Sequence, residues 1–361
     1  MGLFIGDALG LGPHWYYDLE ELRREYGTVT GYTDPKPGRY HAGCRAGDLS
    51  QTGQVCELLL RSLAELGRYH EPDFCAKLDA LLHSLDGTAE GGRYTDVAMR
   101  EVWRARKQEG RRWGQAAGWS NTSEAAQRAV VLAARYAADL GEAARLSMAN
   151  IRLTHQDATT AGQSMSFAII VAALIQGHKL DDELAWGRLW PAAKAGELPI
   201  AHAVLAGEER QAPVDSTATM PRPDTLFQAA WVAAAARSPR IAIPPELVGL
   251  VYGMGCNLDF LLPASFYLST LFEAEATPAA RFEQAVLAAT NSGGNNMARA
   301  AMTGALVGAQ VGLSAIPPRF VEGLTDGQQL AALAQQLAAD AFPEAAAGSN
   351  AGSGSVEATQ G

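Results

Sequence analysis

Residues 291–312 read NSGGNNMARAAMTGALVGAQVG, and this stretch indicates how the chain folds. A Gly-Gly turn flanked by amide side chains leads into a segment in which Gly304, Gly308 and Gly312 recur every four residues. Residues at this spacing lie on one face of a helix, and a face without side chains lets another helix approach closely. The stretch therefore predicts a tight turn followed by a closely packed helix.

The rest of the chain has the same helical character. Apolar residues recur at helical spacing, for example between residues 55 and 66, and alanine, the best helix former, is the most frequent residue. Similar apolar faces occur over 72–86, 123–140, 157–176, 224–237, 279–290 and 298–312. The nearest approach to a strand, 240–243, runs directly into a Pro-Pro pair. We predict an all-α fold, a compact orthogonal multi-helix bundle.

The sequence gives no sign of an interdomain linker. Proline and glycine breaks are spread evenly, at 35–38, 91–92, 221–223, 244–245 and 317–318. We therefore predict a single domain over residues 1–343. Residues 344–361 are rich in Ala, Gly and Ser without periodicity, which predicts a disordered tail.

Composition limits the classes of partner. The formal charge is −10 and the pI is about 5.2, which argues against nucleic acid but leaves room for one small ligand. The longest apolar runs, 168–175 and 300–313, are too short or too interrupted to span a bilayer, so we expect no membrane partner. The four cysteines lack CxxC spacing, and we expect reduced thiols in a cytoplasmic protein. Helix faces of small residues would also suit a homo-oligomer.

Five polar clusters lie at turns or before helices. The first is Asp7 within GDALG, where a capping role is the commoner one. The second, from His41 through Asp48 to SQTGQ at 50–54, suits either an anion at a helix N-terminus or a simple cap. The third is 121–124 (NTSE) and the fourth 154–157 (THQD). The fifth is the GGNN turn at 293–296.

In this order the clusters resemble those of the ADP-ribosylglycohydrolase family, which includes dinitrogenase-reductase-activating glycohydrolases and J1 crystallins. The family opens with a GDALG helix, like residues 6–10, and carries a TDDT motif at the place of residues 50–53. It has a T-H segment like 154–155 and ends with GGDTDT at the place of 293–298. The resemblance covers roughly residues 2–320 and implies the family's helical fold.

The departures from the family pattern concern its metal ions. Members hold two Mg²⁺ or Mn²⁺ ions through the aspartates of TDDT and GGDTD, and such hard cations prefer anionic oxygen ligands. Here those aspartates are replaced by Gln51, Thr52, Asn295 and Met297. The sequence therefore predicts no metal and no cofactor. The GGNN turn followed by Arg299 is more similar to the J1 crystallin and selenoprotein J branch.

Several functions stay open at this point. One is a pseudoenzyme that binds an ADP-ribose-like or other small ligand, or a crystallin-like structural protein. Another is a metal-independent hydrolase of a glycosidic bond, with Asp7 or Asp48 as base and His155 as acid. A third is a scaffold for an unrelated metabolite. The ligand-binding candidates are Gln51, Thr52, Asn121, Gly293, Gly294, Asn295, Asn296 and Arg299.

Overall fold

A computed structural model describes residues 1–89, 93–198 and 223–343; the predicted tail at 344–361 lies outside the described residues. Within these ranges the chain forms α-helices and no β-strand, so the predicted all-α fold is confirmed. The helices are α1 Gly2–Leu11, α2 Leu19–Tyr26, α3 Gln51–Leu66, α4 Glu71–His83, α5 Val97–Trp103, α6 Glu124–Arg135, α7 Leu140–Ile151, α8 Ala158–Ile175, α9 Trp190–Lys194, α10 Pro223–Arg237, α11 Val248–Tyr252, α12 Leu258–Leu271, α13 Pro278–Asn291, α14 Asn296–Val311, α15 Pro318–Glu322 and α16 Gly327–Ala341. Short π-helical turns occupy Arg104–Gln108 and Glu183–Leu189, and 3₁₀ turns Pro245–Leu247 and Leu313–Ala315.

Helix α1 packs closely on α14, and of the three glycines in the repeat only Gly304 makes the predicted close approach. A Cβ atom on Gly6 of α1 would lie 2.0 Å from the carbonyl oxygen of Ala300. A Cβ on Gly304 of α14 would lie 2.2 Å from the carbonyl oxygen of Gly2, whereas at Gly308 the nearest atom is 3.5 Å away. Backbone-to-backbone packing therefore extends only along the first half of α14, next to the GGNN turn.

Helix α8 runs through the core. Every residue from Thr160 to Leu174 is buried, and α6, α7 and α14 pack against it. The sequence analysis judged every apolar segment too short to span a bilayer, and for α8 this was wrong. The helix begins at residue 158, ahead of the apolar run at 168–175, and is therefore long enough. By length and composition α8 could cross a membrane, but 83% of it is buried in the protein. The core accounts for its apolar character.

Helix N-termini and their preceding loops converge on one side of the bundle. Four of these helices begin at a polar side chain that accepts a hydrogen bond from the first turn, as N-caps do: Ser50 for α3, Asp96 for α5, Asp157 for α8 and Asn295 for α14. Single backbone bridges join the loops in pairs: Gly118 with His155, Thr122 with Asn257 and Tyr16 with Gly294. These contacts fix the loops that carry the predicted polar clusters.

Candidate functional site

A polar cleft opens where the loops before α6, α8 and α12 meet. Its volume is about 480 Å³, which is large enough for a small organic molecule. We call it the front cleft. Its walls are formed by Val97, Trp119, Ser120, Asn121, Thr122, Asp157, Thr159, Thr160, Gln163, Cys256 and Asp259. Asn121, a predicted ligand-binding residue, therefore lies in the wall of a cavity.

Two carboxyl groups, one buried and one mostly buried, lie directly behind this wall. Asp96 caps α5 and Glu124 begins α6, and a hydrogen bond joins their side chains. The Thr122 hydroxyl lies 3.1 Å from Asp96 Oδ1 and also hydrogen-bonds Glu124 Oε2. Since Thr122 itself lines the front cleft, one hydroxyl connects the cleft with both carboxyl groups. We call Asp96 and Glu124 the acid pair.

Burial alters the acidity of the acid pair. Loss of hydration raises the pKa of Asp96 well above its usual range, and the neighbouring charge of Glu124 adds to the effect. Burial also raises the pKa of Glu124, although bonds from Thr122 and Asp96 oppose the shift. Two carboxyl groups joined by a hydrogen bond, one buried and one mostly buried, favour the state in which they hold one proton between them. The pair therefore offers a proton donor and a proton acceptor close together.

His155 lies next to the acid pair, inside the protein. Its ring is fully buried, and Nδ1 lies 2.8 Å from the hydroxyl of Thr154, which accepts a bond of 2.8 Å from Arg128. The other ring nitrogen, Nε2, lies 3.7 Å from Glu124 Oε2, beyond hydrogen-bond distance. Burial and the Arg128 charge lower the pKa of His155 to about 4. This pKa leaves the ring neutral at pH 7, whereas the acid role expected from sequence requires a protonated ring.

Asp7 lies inside the protein and outside the front cleft. Its carboxylate accepts hydrogen bonds from the Ser50 backbone N–H at 2.7 Å and from the Ser50 hydroxyl at 2.5 Å. The same hydroxyl accepts from the Gly53 N–H at 3.1 Å and so caps α3. Burial raises the pKa of Asp7 to about 6. Asp7 thus holds the start of α3 against α1.

Asp48 lies on the loop before α3 and is also absent from the cleft walls. Its Oδ2 accepts from the Arg45 backbone at 2.9 Å and lies 3.9 Å from the Arg93 guanidinium. Its Oδ1 accepts from the Thr325 hydroxyl at 2.9 Å. These bonds tie the loop to the C-terminal part of the chain. Neither Asp7 nor Asp48, which sequence reasoning grouped with His155 as catalytic candidates, therefore lines the front cleft.

Gln51 and Thr52 reach the acid pair from behind. With Asp96 and Glu124 they line a small cavity that has room for about one water molecule. The Gln51 amide nitrogen donates to the Thr95 hydroxyl at 3.1 Å. Among the described residues its Oε1 atom has no hydrogen-bond partner, although the side chain is only 3% exposed. The position is thus polar, buried and only partly satisfied.

The GGNN turn is built by its own side chains and does not line the front cleft. Arg299 is buried and donates to the carbonyl of Gly293 at 2.8 Å, and burial lowers its pKa to about 10. The Asn296 amide donates to two backbone carbonyls at 2.9 and 3.0 Å, and Asn295 caps α14. Gly294 exchanges two backbone hydrogen bonds with the loop after α1, at 2.7 and 3.0 Å. These candidates fix the turn.

Sequence reasoning missed several residues of the cleft. Asp96 follows Thr95 immediately before an apolar helical run, which is an N-cap signal, and Glu124 belongs to the recognised 121–124 cluster.

Cys256 lines the front cleft, but burial and the nearby Asp96 raise its thiol pKa to about 11. A protonated thiol is a poor nucleophile, so Cys256 contributes shape rather than reactivity.

Comparison with known proteins shows which family has this architecture. The family model of ADP-ribosylglycohydrolase matches residues 1–346. The chain belongs to the ADP-ribosylglycohydrolase family. An uncharacterized protein of Archaeoglobus fulgidus is 25% identical over 340 residues, which cover 93% of each chain. A solved structure of an ADP-ribosylglycohydrolase-related protein complex superposes with a TM-score of 0.60 at 18% identity, covering 94% of this chain and 97% of that one, and it shows the shared fold.

The ADP-ribosylglycohydrolase resemblance implies two divalent ions, and the residues at those positions do not fit them. Asn295 Oδ1 already accepts the capping bond of α14, and Met297 is an apolar side chain that is 7% exposed. Gln51 contributes one neutral oxygen, and Thr52 a hydroxyl. Within the described ranges, no cluster of three or more His, Cys, Asp or Glu side chains is arranged to hold a metal ion. Chemistry at this site therefore has to be derived from the side chains alone.

Proposed function

We propose that this ADP-ribosylglycohydrolase family member binds a small molecule in the front cleft without the two divalent ions, as a ligand-binding pseudoenzyme. One observation carries the proposal: the cleft has polar walls and an acid pair behind them, while two positions of the family's metal ligands hold the α14 cap Asn295 and the apolar Met297. An ADP-ribose-like ligand is the expectation from the family. Another small metabolite is equally compatible with the loss of the metal ligands.

Neutral donors and acceptors in the cleft wall support binding without metal. Ser120, Asn121 and Thr122 follow one another at its edge, and Thr159, Thr160 and Gln163 face it from α8. Hydroxyl and amide groups both donate and accept hydrogen bonds, so they recognise sugars and polar metabolites directly. Thr122 additionally hydrogen-bonds both carboxyl groups of the acid pair, so a ligand that contacts Thr122 lies next to the pair.

The experiment is isothermal titration of ADP-ribose into the full-length protein, with and without Mg²⁺. Binding that is the same in both conditions supports a metal-free ligand site. Affinity that rises about tenfold or more with Mg²⁺, a change of roughly 1.4 kcal/mol, contradicts the proposal. Asn121→Ala removes a side chain from the cleft wall and tests whether the ligand binds there. Asn150→Ala removes a buried amide that binds Arg128 behind the site, and comparing the two variants separates loss of a ligand contact from loss of stability.

The acid pair favours a second candidate function, a metal-independent hydrolase. In such a reaction the acid pair supplies the proton that the leaving group takes up as the glycosidic bond breaks, through the Thr122 hydroxyl, which lines the cleft and bonds both carboxyl groups. A water molecule adds to the anomeric carbon and gives a proton to the ionised carboxylate, which restores the pair. Glu124 and Asp96 are the residues that hold these protons.

Turnover of ADP-ribosyl-arginine tests this candidate. We expect Asp96→Asn and Glu124→Gln to abolish any activity of the wild-type chain, whereas Asp48→Asn leaves it unchanged because Asp48 lies away from the cleft. Activity that survives both changes in the acid pair would exclude the hydrolase mechanism. Wild-type protein that binds ligand without turnover supports the pseudoenzyme.

A further inference from the structure

The small cavity behind the acid pair is separate from the front cleft, and the two have no wall residue in common. It lies where α3 meets the first turns of α5 and α6 and has room for about one water molecule. Its walls are formed by Gln51, Thr52, Val55, Asp96, Met99, Glu124 and Arg128. Most of these side chains are polar, so a molecule held in the cavity can form hydrogen bonds on several sides.

Gln51 presents a buried acceptor to this cavity. Its amide nitrogen donates to the Thr95 hydroxyl at 3.1 Å, whereas its Oε1 atom has no hydrogen-bond partner among the described residues. The side chain is only 3% exposed, so bulk water does not supply the missing donor. An unpaired buried acceptor destabilises the folded protein. The Gln51 oxygen therefore calls for a hydrogen-bond donor inside the cavity.

Arg128 brings an unused donor to the same wall. Its side chain is buried, and its hydrogen bonds to Asn150 and to the Thr154 hydroxyl involve Nε and Nη2. Within the described ranges, Nη1 takes part in none of them. A molecule in the cavity therefore has a guanidinium donor, the Gln51 acceptor and the carboxyl oxygens of the acid pair around it. Buried water molecules typically make about three hydrogen bonds to such groups.

The charges of the cavity wall indicate which molecule fits. The acid pair with one shared proton carries one negative charge, and the Arg128 guanidinium, which stays protonated in proteins, carries one positive charge. The other titratable groups whose charges act on the pair, or are acted on by it, are His155, Cys56, Cys256 and Tyr94. Burial lowers the pKa of His155 to about 4 and raises the pKa of both thiols and of the Tyr94 phenol, so all four are neutral at pH 7. Because the wall charges balance, a neutral molecule is favoured over a cation.

We propose that the small cavity binds one water molecule, which accepts a hydrogen bond from Arg128 and donates to Gln51 Oε1 and to a carboxyl oxygen of the acid pair. Gln51 is then a positioning residue, because it acts on the pair through this water. A hydrogen bond donated to a carboxylate stabilises its ionised form, so the water opposes the uptake of a second proton and keeps the pair at one proton near neutral pH. This inference concerns the pair itself and does not depend on the ligand of the front cleft, so it goes beyond the proposed function.

High-resolution crystal structures of the wild-type protein test the occupant without any substitution. We expect one density peak within hydrogen-bond distance of Gln51 Oε1, of Arg128 and of the acid pair. Crystals grown with Rb⁺ in place of Na⁺ should show no anomalous signal at this point. A cavity without density, or an anomalous Rb⁺ peak inside it, would overturn the inference.

Carboxyl-carbon NMR of the full-length protein, labelled at Asp and Glu, tests the effect on the acid pair. Gln51→Met keeps an unbranched side chain of about the same length but removes the acceptor. We expect the pKa at which the pair takes up its second proton to rise by about half a unit or more, because the hydrogen bond to the ionised form is weakened. Asp96→Asn and Glu124→Gln assign the signals of the pair.

The matched control is Gln127→Met, the same change at a buried glutamine of α6 whose amide donates to Ser123 and which does not line the small cavity. The pair should titrate in this variant as in the wild type. An unchanged pKa in Gln51→Met, or an equal shift in both variants, would show that Gln51 has no such positioning role. Neither result bears on ADP-ribose binding in the front cleft, so failure of this inference is distinguishable from failure of the proposed function.

Discussion

Ser50→Ala is the perturbation whose cost follows most directly from the structure. One hydroxyl caps α3 through the Gly53 N–H and also donates to the buried Asp7 carboxylate at 2.5 Å. Loss of a cap costs about 0.5–2 kcal/mol, and loss of a hydrogen bond to a charged group about 1.5–3 kcal/mol. We expect a loss of about 2–4 kcal/mol in the free energy of unfolding at pH 7, since both bonds disappear together.

The cost should depend on pH with a defined sign. The folded chain holds a proton on Asp7 up to a pKa of about 6, above the ordinary value of 3.8 for an aspartate, so it binds more protons than the unfolded chain between these values. Stability therefore falls as pH rises through this window. Removing the Ser50 bond raises the pKa of Asp7 further and extends the fall to higher pH. The difference between wild type and Ser50→Ala should be larger at pH 7.5 than at pH 5.

Urea unfolding of both proteins at the two pH values measures this effect. The matched control is Thr277→Ala, because Thr277 caps α13 through a single bond of 3.1 Å and touches no buried carboxylate in the hydrogen-bond network. It should cost only the cap, about 0.5–2 kcal/mol, at either pH. A Ser50→Ala cost equal to that of Thr277→Ala and independent of pH would refute the role assigned to Asp7.

Two further predictions concern packing and reactivity. Gly6→Ala should abolish soluble folded protein, because its Cβ would lie 2.0 Å from the Ala300 carbonyl, whereas Gly308→Ala, with 3.5 Å of space, should unfold at the same or a higher urea concentration. A stable Gly6→Ala would contradict the close packing of α1 on α14. Cys256, with its pKa raised to about 11, should react with iodoacetamide at pH 7.5 at least about tenfold more slowly than free cysteine, and faster as pH rises. Mass spectrometry of the modified thiol measures the rate, and labelling at the rate of free cysteine would contradict the burial.

The sequence predicted the fold because its signals are local. Helical periodicity and the glycine spacing in α14 depend on residues within a few turns of each other, and the spacing marked a face for close approach without naming Gly2 as its partner. Helix caps such as Asp157 are local in the same way. Residues of these kinds could be identified without knowing which helices are neighbours.

The composition of the site was harder to predict because it depends on contacts between distant segments. Asn121 and His155 were recognised from polar clusters, and both lie at or behind the front cleft. Asp96 was missed because nothing near it in sequence indicates that Glu124 lies beside it. Asp48 was included for its position before α3, but one of its hydrogen-bond partners, Thr325, lies near the C-terminal helices. One sequence does not specify such pairings.

We propose that this ADP-ribosylglycohydrolase family member binds a small molecule in the front cleft without the two divalent ions. Calorimetric titration of Mn²⁺ into the metal-free, full-length protein tests it most directly. The account predicts no saturable binding, because the positions of the former ligands hold a capping amide, an apolar methionine and neutral polar side chains. Binding of two equivalents of Mn²⁺, accompanied by a rise in melting temperature, would contradict it.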